Sequence, residues 1–371
     1  MILDAIEARP LRIPFRGAFK HASAERAETQ TVWVTARAGS GIGHGEGCPR
    51  EYVTGESLDS ALAFCERHAR EWRAAIHGVD DIRAWIDRNA GEVDRNPAAW
   101  CAVELALLDL LGRVEGKSVE ALLGLQALGG RFRYTAVLGD DIGEQFAAGL
   151  ERYLAAGFQL FKVKLSGDGA RDARKVAALN AAGVSPWSVR ADANNLWPDA
   201  ERALRDLGAL DYAFFGLEEP LAAGDVNGMA RLAETLRTRI VLDESVARAG
   251  QLDRLPGPAS VWIVNLRVSK MAGLLRSLAM VRALRERGLN MIVGAQVGET
   301  SVLTRAALTV AAQGRDILVA QEGAFGTHLL AHDVTPVPLM FGAGGVLDVE
   351  LAQLGPHGFG IDVVSGTSAD L

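Results

Sequence analysis

The 371-residue chain is poor in cysteine and has no concentrated charge of either sign. Its three cysteines, Cys48, Cys65 and Cys101, are odd in number and form no Cys-x-x-Cys pair. This argues against a disulfide framework or a thiolate zinc site and favours a reducing cytoplasm. The 39 Lys and Arg residues are outnumbered by 46 Asp and Glu residues and form no basic cluster. Nucleic acid is therefore not an expected partner.

Long hydrophobic runs are also missing. No segment approaches the roughly 18 consecutive apolar residues that a membrane-spanning helix needs. Residues 1–15 carry Asp4, Glu7, Arg9 and Arg12 and lack the apolar core of a secretory signal. We therefore expect a soluble, unprocessed cytoplasmic protein with no membrane partner. With 49% hydrophobic and 23% charged residues, the composition is that of a globular protein with two or three hydrophobic cores, which excludes disorder and a collagen-like fold.

The first 125 residues have the pattern of a small α+β domain. Residues 31–35 alternate in polarity as a half-buried strand does, and the glycines of residues 39–47 are typical of hairpin turns. Apolar residues at helical spacing predict helices over residues 57–76 and 97–123.

From about residue 131 onward, short β-branched or aromatic runs alternate with helical stretches, which predicts repeated βα units. Polar residues near the ends of five successive strands, Lys164, Asp192, Glu218, Asp243 and Arg267, are 28, 26, 25 and 24 residues apart. This period favours a closed (β/α) barrel. The alternative, a doubly wound open sheet, usually has a Gly-rich phosphate turn, and only residues 294–298 weakly resemble one. The eight candidate strands are residues 134–137, 160–164, 188–192, 214–218, 240–243, 261–265, 291–294 and 317–320.

Three consecutive strands end in acids, namely Asp192, Glu218 and Asp243. In a barrel the active site lies at the carboxyl ends of the strands, so these side chains should converge on one rim. Crowded carboxylates repel each other unless a hard divalent cation neutralises them, which predicts a Mg2+ site, with Mn2+ as an alternative. Each acid could instead cap the helix that follows its strand.

Lys162 and Lys164 are two residues apart on the preceding strand, so both side chains should face the barrel interior. Mutual repulsion and burial would lower a lysine pKa toward neutrality and make one of them a general base. The alternative is that the pair faces solvent. With a cation bound to the substrate carboxylate, these groups could remove the α-proton and stabilise the resulting enediolate.

The motifs resemble those of the enolase superfamily, and within it the muconate lactonizing enzyme subgroup of the mandelate racemase–muconate lactonizing enzyme family. The resemblance implies a (β/α)7β barrel with an α+β capping domain, Mg2+, and Lys164 as the base with Lys162 beside it. The domain limits would be residues 1–125 for the capping domain, 130–333 for the barrel and 334–371 for a tail returning to the capping domain. The matching segments are Lys162-Val163-Lys164, Asp192-Ala193-Asn194, Leu217-Glu218-Glu219-Pro220 and Leu242-Asp243-Glu244-Ser245.

The sixth strand departs from the subgroup pattern, because Arg267 stands where the resemblance implies a second catalytic lysine. An arginine can hold a carboxylate or an enolate but is a poor proton acceptor; it could also simply pair with Asp243 or Glu244. Lys270 could serve as the second base only if the strand ends near Arg267. We therefore expect a metal-dependent isomerase or lyase that performs cycloisomerisation or β-elimination. The alternatives are a racemase or epimerase and, in another class, a non-catalytic metal-binding homologue.

Several further residues are candidates for substrate binding. After the seventh strand, residues 294–300 resemble a segment that contributes a polar residue beside the metal, and Glu299 is the candidate there. Glu322 and Ala320 occupy the positions of the Asp-x-Asp pair that binds the substrate ammonium in dipeptide-processing members, so a dipeptide substrate is doubtful. The loops of residues 16–28 and 48–55 should cover the barrel mouth. We expect a small carboxylate substrate and a homo-oligomer. The candidates in the two loops are Phe19, Lys20, His21 and Tyr52.

Overall fold

The amino-terminal part contains one antiparallel sheet of order β1-β4-β5 and a separate β2–β3 hairpin. The computed structural model describes residues 1–21, 24–141 and 143–364, without the side chains of residues 18–25. The alternating segment predicted at residues 31–35 lies within β4, the central strand of the sheet. The strands are β1 (Ala5–Leu11), β2 (Pro14–His21), β3 (Ala24–Glu28), β4 (Thr31–Ala38) and β5 (Gly41–Gly47).

Six helices of the described chain follow, and the long helix α5 crosses directly over β5. A Cβ added to Gly45 would lie 2.0 Å from the carbonyl oxygen of Ala102, and one added to Gly47 would lie 1.9 Å from that of Ala98. The prediction of hairpin turns over residues 39–47 was therefore mostly wrong: these glycines let a helix approach a strand. The predicted helix over 97–123 is divided at Gly116, where φ is 65°. The helices are α1 (Glu51–Thr54), α2 (Leu58–Ala75), α3 (Val79–Arg88), α4 (Ala90–Arg95), α5 (Pro97–Glu115) and α6 (Val119–Leu122).

Eight parallel strands, β7 to β14, form one sheet in chain order, which confirms the predicted α/β barrel class. Its two edges meet where the Thr135 N–H donates to the Gln321 carbonyl over 2.8 Å. A short 3-10 helix, Ala249–Arg254, stands between β11 and β12. The elements are β6 (Arg131–Arg133), β7 (Ala136–Leu138), α7 (Glu144–Ala155), β8 (Phe161–Lys164), α8 (Gly169–Ala181), β9 (Val189–Asp192), α9 (Ala200–Gly208), β10 (Gly216–Glu218), α10 (Val226–Leu236), β11 (Arg239–Leu242), β12 (Trp262–Leu266), α11 (Leu274–Glu286), β13 (Asn290–Val293), α12 (Ser301–Gln313), β14 (Leu318–Gln321) and β15 (Val346–Asp348).

The strand register brings the polar strand ends level with one another. Lys164 is paired with Asp192 between β8 and β9, and Asp192 with Glu218 between β9 and β10. Below these polar ends lies a separate apolar cluster contributed by the later strands. The barrel interior is therefore apolar below and polar at the carboxyl rim. The buried members of the cluster are Val241, Ile263, Ile292 and Ala320.

The carboxyl-terminal segment lies against the amino-terminal helices. β15 pairs antiparallel with β6, and the Phe359 N–H donates to Asp109 of α5 over 2.8 Å. The carbonyl of Gly358 accepts from the Val119 N–H at the start of α6, also over 2.8 Å. The β15–β6 pairing thus connects the tail to the start of the predicted barrel range, and the bonds to Asp109 and Val119 connect it to the predicted capping domain. No helix within the described ranges is long and apolar enough to cross a membrane.

Candidate active site

Lys162 points into the barrel and is surrounded by carboxylates. It is 4% exposed, and its Nζ lies 2.8 Å from Glu218 Oε1, 3.1 Å from Asp192 Oδ2 and 3.1 Å from Glu322 Oε2. Burial by itself would lower the pKa of Lys162, but the three acids outweigh it and raise the pKa well above its usual value. The expectation of a lowered lysine pKa was therefore wrong for Lys162, because the attraction of the three acids outweighs burial and the repulsion from Arg267.

Lys164 lies nearer the mouth of the barrel and is 8% exposed. Its Nζ donates to Asp192 Oδ2 over 3.1 Å and to Asn194 Oδ1 over 2.7 Å. Asn194 has a φ of 46° and its N–H bonds Asp192 Oδ1, so the turn after β9 brings the amide oxygen back toward the lysine. Both lysines thus face the interior, and the solvent-facing alternative is excluded.

Asp192, Glu218 and Asp243 lie side by side with a cationic side chain between each neighbouring pair. Lys162 joins Asp192 to Glu218, while Arg267 Nη2 contacts Asp243 Oδ2 and lies 3.9 Å from Glu218 Oε1. Burial raises the pKa of Glu218 to about 8. Burial also opposes ionisation of Asp192 and Asp243, but their cationic neighbours lower both pKa values below the usual range.

A divalent cation fits this set of acids only after the cationic side chains move. Within residues 1–21, 24–141 and 143–364, no three His, Cys, Asp or Glu side chains are spaced to hold a metal ion as they stand, because ammonium and guanidinium groups lie between the carboxylates. Glu218 Oε2, however, is buried without a hydrogen-bond partner. A set of carboxylate oxygens is what Mg2+ prefers. The residues therefore fit the predicted ion.

Lys270 lies behind Asp243 rather than facing an open cavity. β12 ends at Leu266, and the chain then turns, so that Lys270 Nζ lies 2.9 Å from Asp243 Oδ1, 2.5 Å from the Asp243 carbonyl and 2.7 Å from the Asn265 carbonyl. It is 1% exposed. Since an ammonium has three donors, all three are used in this arrangement, and Lys270 holds Asp243 from behind.

Arg267 takes part in the same cluster from the opposite side. Its Nη1 donates to Gln296 Oε1 over 2.9 Å, and its Nη2 contacts Asp243. Burial by itself would lower the pKa of Arg267, but the negative charges of Asp243 and Glu244 outweigh it and raise the pKa above its usual value. Arg267 therefore stays cationic, and the predicted alternative of pairing with Asp243 is the arrangement observed.

The acids that follow the metal candidates differ in their surroundings. Glu219 is fully buried; its Oε1 accepts from the Asp243 N–H over 2.6 Å and the Ser245 N–H over 2.8 Å, so it holds the turn that carries Asp243. Glu244 has a buried Oε2 without a partner, and burial, followed by the charge of Asp243, raises its pKa to about 8.

Glu322 is neutralised from within the protein. Its Oε1 accepts from Arg190 Nη2 over 2.6 Å, and its Oε2 accepts from Lys162. Arg190, which is 2% exposed, was missed by the sequence reasoning. The sequence did contain an indication of this role. Arg190 is two residues before Asp192 on the same strand, so both side chains face the barrel interior.

Two of the other candidates for substrate binding, Glu299 and Tyr52, have described side chains. Glu299 Oε1 accepts from the Gln296 N–H over 2.6 Å, and burial raises the pKa of Glu299 to about 7. Tyr52 forms a side-chain hydrogen bond with Arg26. The side chains of Phe19, Lys20 and His21 lie outside the described part of the structure.

Buried contacts fix the amino-terminal domain on the loops that surround the site. The Cys48 N–H donates to Ser269 Oγ over 2.8 Å, within the turn between Arg267 and Lys270. Arg50 Nη2 donates to the Val297 carbonyl over 2.6 Å, on the loop that carries Gln296. The sequence pattern gave no signal for these contacts because each joins residues more than two hundred positions apart.

Comparison with known proteins places this geometry in a family. The family model described as "Enolase C-terminal domain-like" matches residues 145–364. The N-succinyl-L-Arg/Lys racemase of Bacillus cereus is 25% identical over 319 residues, covering 84% of each chain. The chloromuconate cycloisomerase of Cupriavidus pinatubonensis is 28% identical over 301 residues, covering 78% of this chain and 77% of that one.

A solved structure shares the fold. The dipeptide epimerase of Cytophaga hutchinsonii, crystallised with Mg and the dipeptide D-Ala-L-Val, superposes with a TM-score of 0.82 at 22% identity, over 99% of this chain and 97% of that chain. These findings confirm the predicted fold class, family and isomerase type of enzyme. The protein belongs to the enolase superfamily, in its mandelate racemase and muconate lactonizing enzyme branch.

Proposed function

We propose that the protein removes the proton α to the carboxylate of a small acid in the presence of Mg2+, and that cycloisomerisation or β-elimination follows. The observation that carries this proposal is the arrangement of Lys164 beside three converging carboxylates, Asp192, Glu218 and Asp243. A bound divalent cation would supply positive charge to the substrate carboxylate and lower the energy of the enediolate.

Each side chain of the site has a distinct role in the proposed reaction. Lys164 takes the proton, because it lies nearest the mouth and keeps one donor position free of protein partners among the described residues. Lys162 is positively charged and, once moved from between its acids, offers this charge to the oxygen where negative charge develops. Glu219 and Lys270 hold Asp243 from behind. Asp192, Glu218 and Asp243 would hold the metal.

The described side chains on the β12 side favour one-base chemistry. Racemisation by two bases needs a proton carrier on each face of the carbanion, and the side chains on the β12 side are Arg267, which stays charged, and Lys270, whose donors are all used. Arg267 instead suits a carboxylate or an enolate oxygen. A racemase or epimerase is the second candidate, favoured by the names of the Bacillus cereus and Cytophaga hutchinsonii relatives.

The experiment that tests the proposal is hydrogen exchange in D2O. A panel of acid sugars, amino-acid derivatives, dipeptides and muconate-like lactones is incubated with enzyme and Mg2+, and loss of the α-hydrogen is followed by proton NMR. We expect exchange or conversion of at least one acid, and its loss in Lys164→Ala but not in the surface control Lys117→Ala. Exchange that survives in Lys164→Ala would refute the assigned base.

The stereochemistry of the product separates the two candidate reactions. One-base chemistry returns deuterium to a single face, so a recovered substrate keeps its configuration while losing its α-hydrogen. Appearance of both configurations from one enantiomer would show an epimerase and would contradict the role proposed for Arg267.

A further inference from the structure

Lysine is rare in this chain and concentrated at the active end of the barrel. There are six lysines against 33 arginines. Four of the six are buried, with exposures of 4% for Lys162, 8% for Lys164, 2% for Lys175 and 1% for Lys270. Three of these four contact the candidate metal ligands. Lys175, on α8, is the one that the proposed mechanism does not use.

The ammonium of Lys175 is bound to the backbone of the proposed base. Its Nζ donates to the Lys164 carbonyl over 2.7 Å, to Asp172 Oδ1 over 2.9 Å and to Asp140 Oδ1 over 2.6 Å. All three ammonium donors are therefore used, and one of them is bonded to the main-chain carbonyl oxygen of Lys164.

The bond from Lys175 to the Lys164 carbonyl lies just beyond the end of the neighbouring strand, β7. β7 pairs with β8 only as far as Leu138 opposite Val163, one residue before Lys164. The carbonyl of Lys164 accepts from the Lys175 ammonium at this position. The last residue of β8 is thus fixed from the β9 side by the strand ladder and from the other side by Lys175.

Asp172 fixes Ser166 and Gly167, in the turn that follows Lys164. Its carboxylate accepts from the Ser166 N–H over 3.0 Å, from the Ser166 hydroxyl over 2.9 Å and from the Gly167 N–H over 3.0 Å. Asp172 is 3% exposed and lies in the first turn of α8, where a carboxylate is favoured by the helix dipole. The Lys175–Asp172 pair therefore connects α8 to both sides of the turn that follows the base.

We infer that Lys175 and Asp172 are positioning residues, which set the backbone of Lys164 so that its amine reaches the substrate α-carbon. The inference rests on the proposed role of Lys164 as base. A lysine amine is four bonds beyond Cβ, so a small rotation of its peptide moves Nζ substantially, and a misplacement of about 1 Å can cost about a hundredfold in rate.

The test uses a double variant, Asp172→Asn with Lys175→Met, which removes both charges of the pair and leaves neither one buried alone. Its matched control is Glu120→Gln with Arg305→Met. That pair is also buried, with side chains 3% exposed on each partner, but it joins α6 to α12 away from Lys164. Both double variants are compared with the unaltered enzyme by thermal unfolding and by α-hydrogen exchange with the best acid of the panel.

We expect the Asp172/Lys175 variant to lower kcat by about 10- to 100-fold while KM and the Kd for Mg2+ change by less than about twofold. The control should lose thermal stability to a similar degree and keep its kcat. A kcat that falls equally in both variants, or in neither, would overturn the positioning role.

A second measurement needs no substrate. With six lysines, selective 13C labelling gives a spectrum in which the Lys164 Cε signal can be assigned by its loss in Lys164→Ala. We expect this signal to shift in the Asp172/Lys175 variant and to stay in place in the control; an unmoved signal in both contradicts the inference. If no acid of the panel exchanges, the proposed function fails, while this spectrum still decides whether the pair places Lys164.

Discussion

Replacing Arg267 by methionine should strengthen the binding of Mg2+. In the structure the guanidinium contacts Asp243 and lies 3.9 Å from Glu218 Oε1, so it occupies the space between two candidate metal ligands. A metal ion must displace it, and the displacement costs a charge-assisted hydrogen bond to Asp243. Methionine has a similar length and no charge, so it removes the competitor and the repulsion between the guanidinium and the ion.

The expected decrease in the Kd for Mg2+ follows from the single contact between Arg267 and Asp243. A hydrogen bond between charged groups contributes about 1.5–3 kcal/mol, and about 1.4 kcal/mol corresponds to a factor of ten in affinity. The Kd for Mg2+ should therefore fall by about 10- to 100-fold in Arg267→Met. Without Mg2+ the variant should unfold at a lower temperature than the wild type, because Asp243 then loses one of the two buried ion pairs that it forms with described residues and keeps the one with Lys270.

Isothermal titration calorimetry with MgCl2 measures the Kd, and thermal unfolding with and without Mg2+ measures the linked stability. Arg285→Met is the control, since Arg285 pairs with Asp316 on the surface, where the two side chains are 43% and 55% exposed. A Kd that is unchanged or larger in Arg267→Met, with the control behaving as the wild type, would contradict the view that Arg267 competes with the ion.

Two further predictions concern the amino-terminal domain. Gly45→Ala should lower the free energy of unfolding by about 3 kcal/mol or more, because the new Cβ would lie 2.0 Å from the Ala102 carbonyl oxygen; urea unfolding measures this, and the effect should be absent in Gly169→Ala, where the added Cβ meets open space. Burial raises the pKa of Glu56 from 4.5 to about 7, so the folded state binds more protons than the unfolded state between these pH values, and this carboxyl lowers the free energy of unfolding as pH rises through that window. Glu56→Gln lacks this contribution, so its stability relative to the wild type should improve from pH 5 to pH 8; a relative stability that is constant or declines would show that the pKa is not raised.

The barrel and its polar rim could be predicted from the sequence because both depend on local periodicity. The spacing of Lys164, Asp192, Glu218 and Asp243 is set by one strand, one helix and two loops, and parallel strands in register then bring their ends level. The inward direction of Lys162 follows from the two-residue period of a strand.

What the sequence could not show depends on partners distant in the chain. The glycines of β5 were interpreted as turns because their contact surface, α5, begins some fifty residues later. Lys270 could serve as a base only if β12 ended near Arg267; the strand does end at Leu266, but the contacts of Lys270 with the carbonyls of Asp243 and Asn265 could not be predicted from the sequence. Glu322 was a candidate for substrate binding, and no sequence pattern indicated that Arg190, 132 residues away, bonds its carboxylate.

A crystal structure of the protein grown with Mg2+, or with Mn2+ located by its anomalous scattering, tests the proposed site most directly. We predict one ion with an oxygen of Asp192, Glu218 and Asp243 each at about 2.1 Å, Arg267 withdrawn from Asp243, and the Lys164 amine facing the same cavity. An ion bound elsewhere, or acids that remain paired with Lys162 and Arg267 at saturating metal, would contradict it.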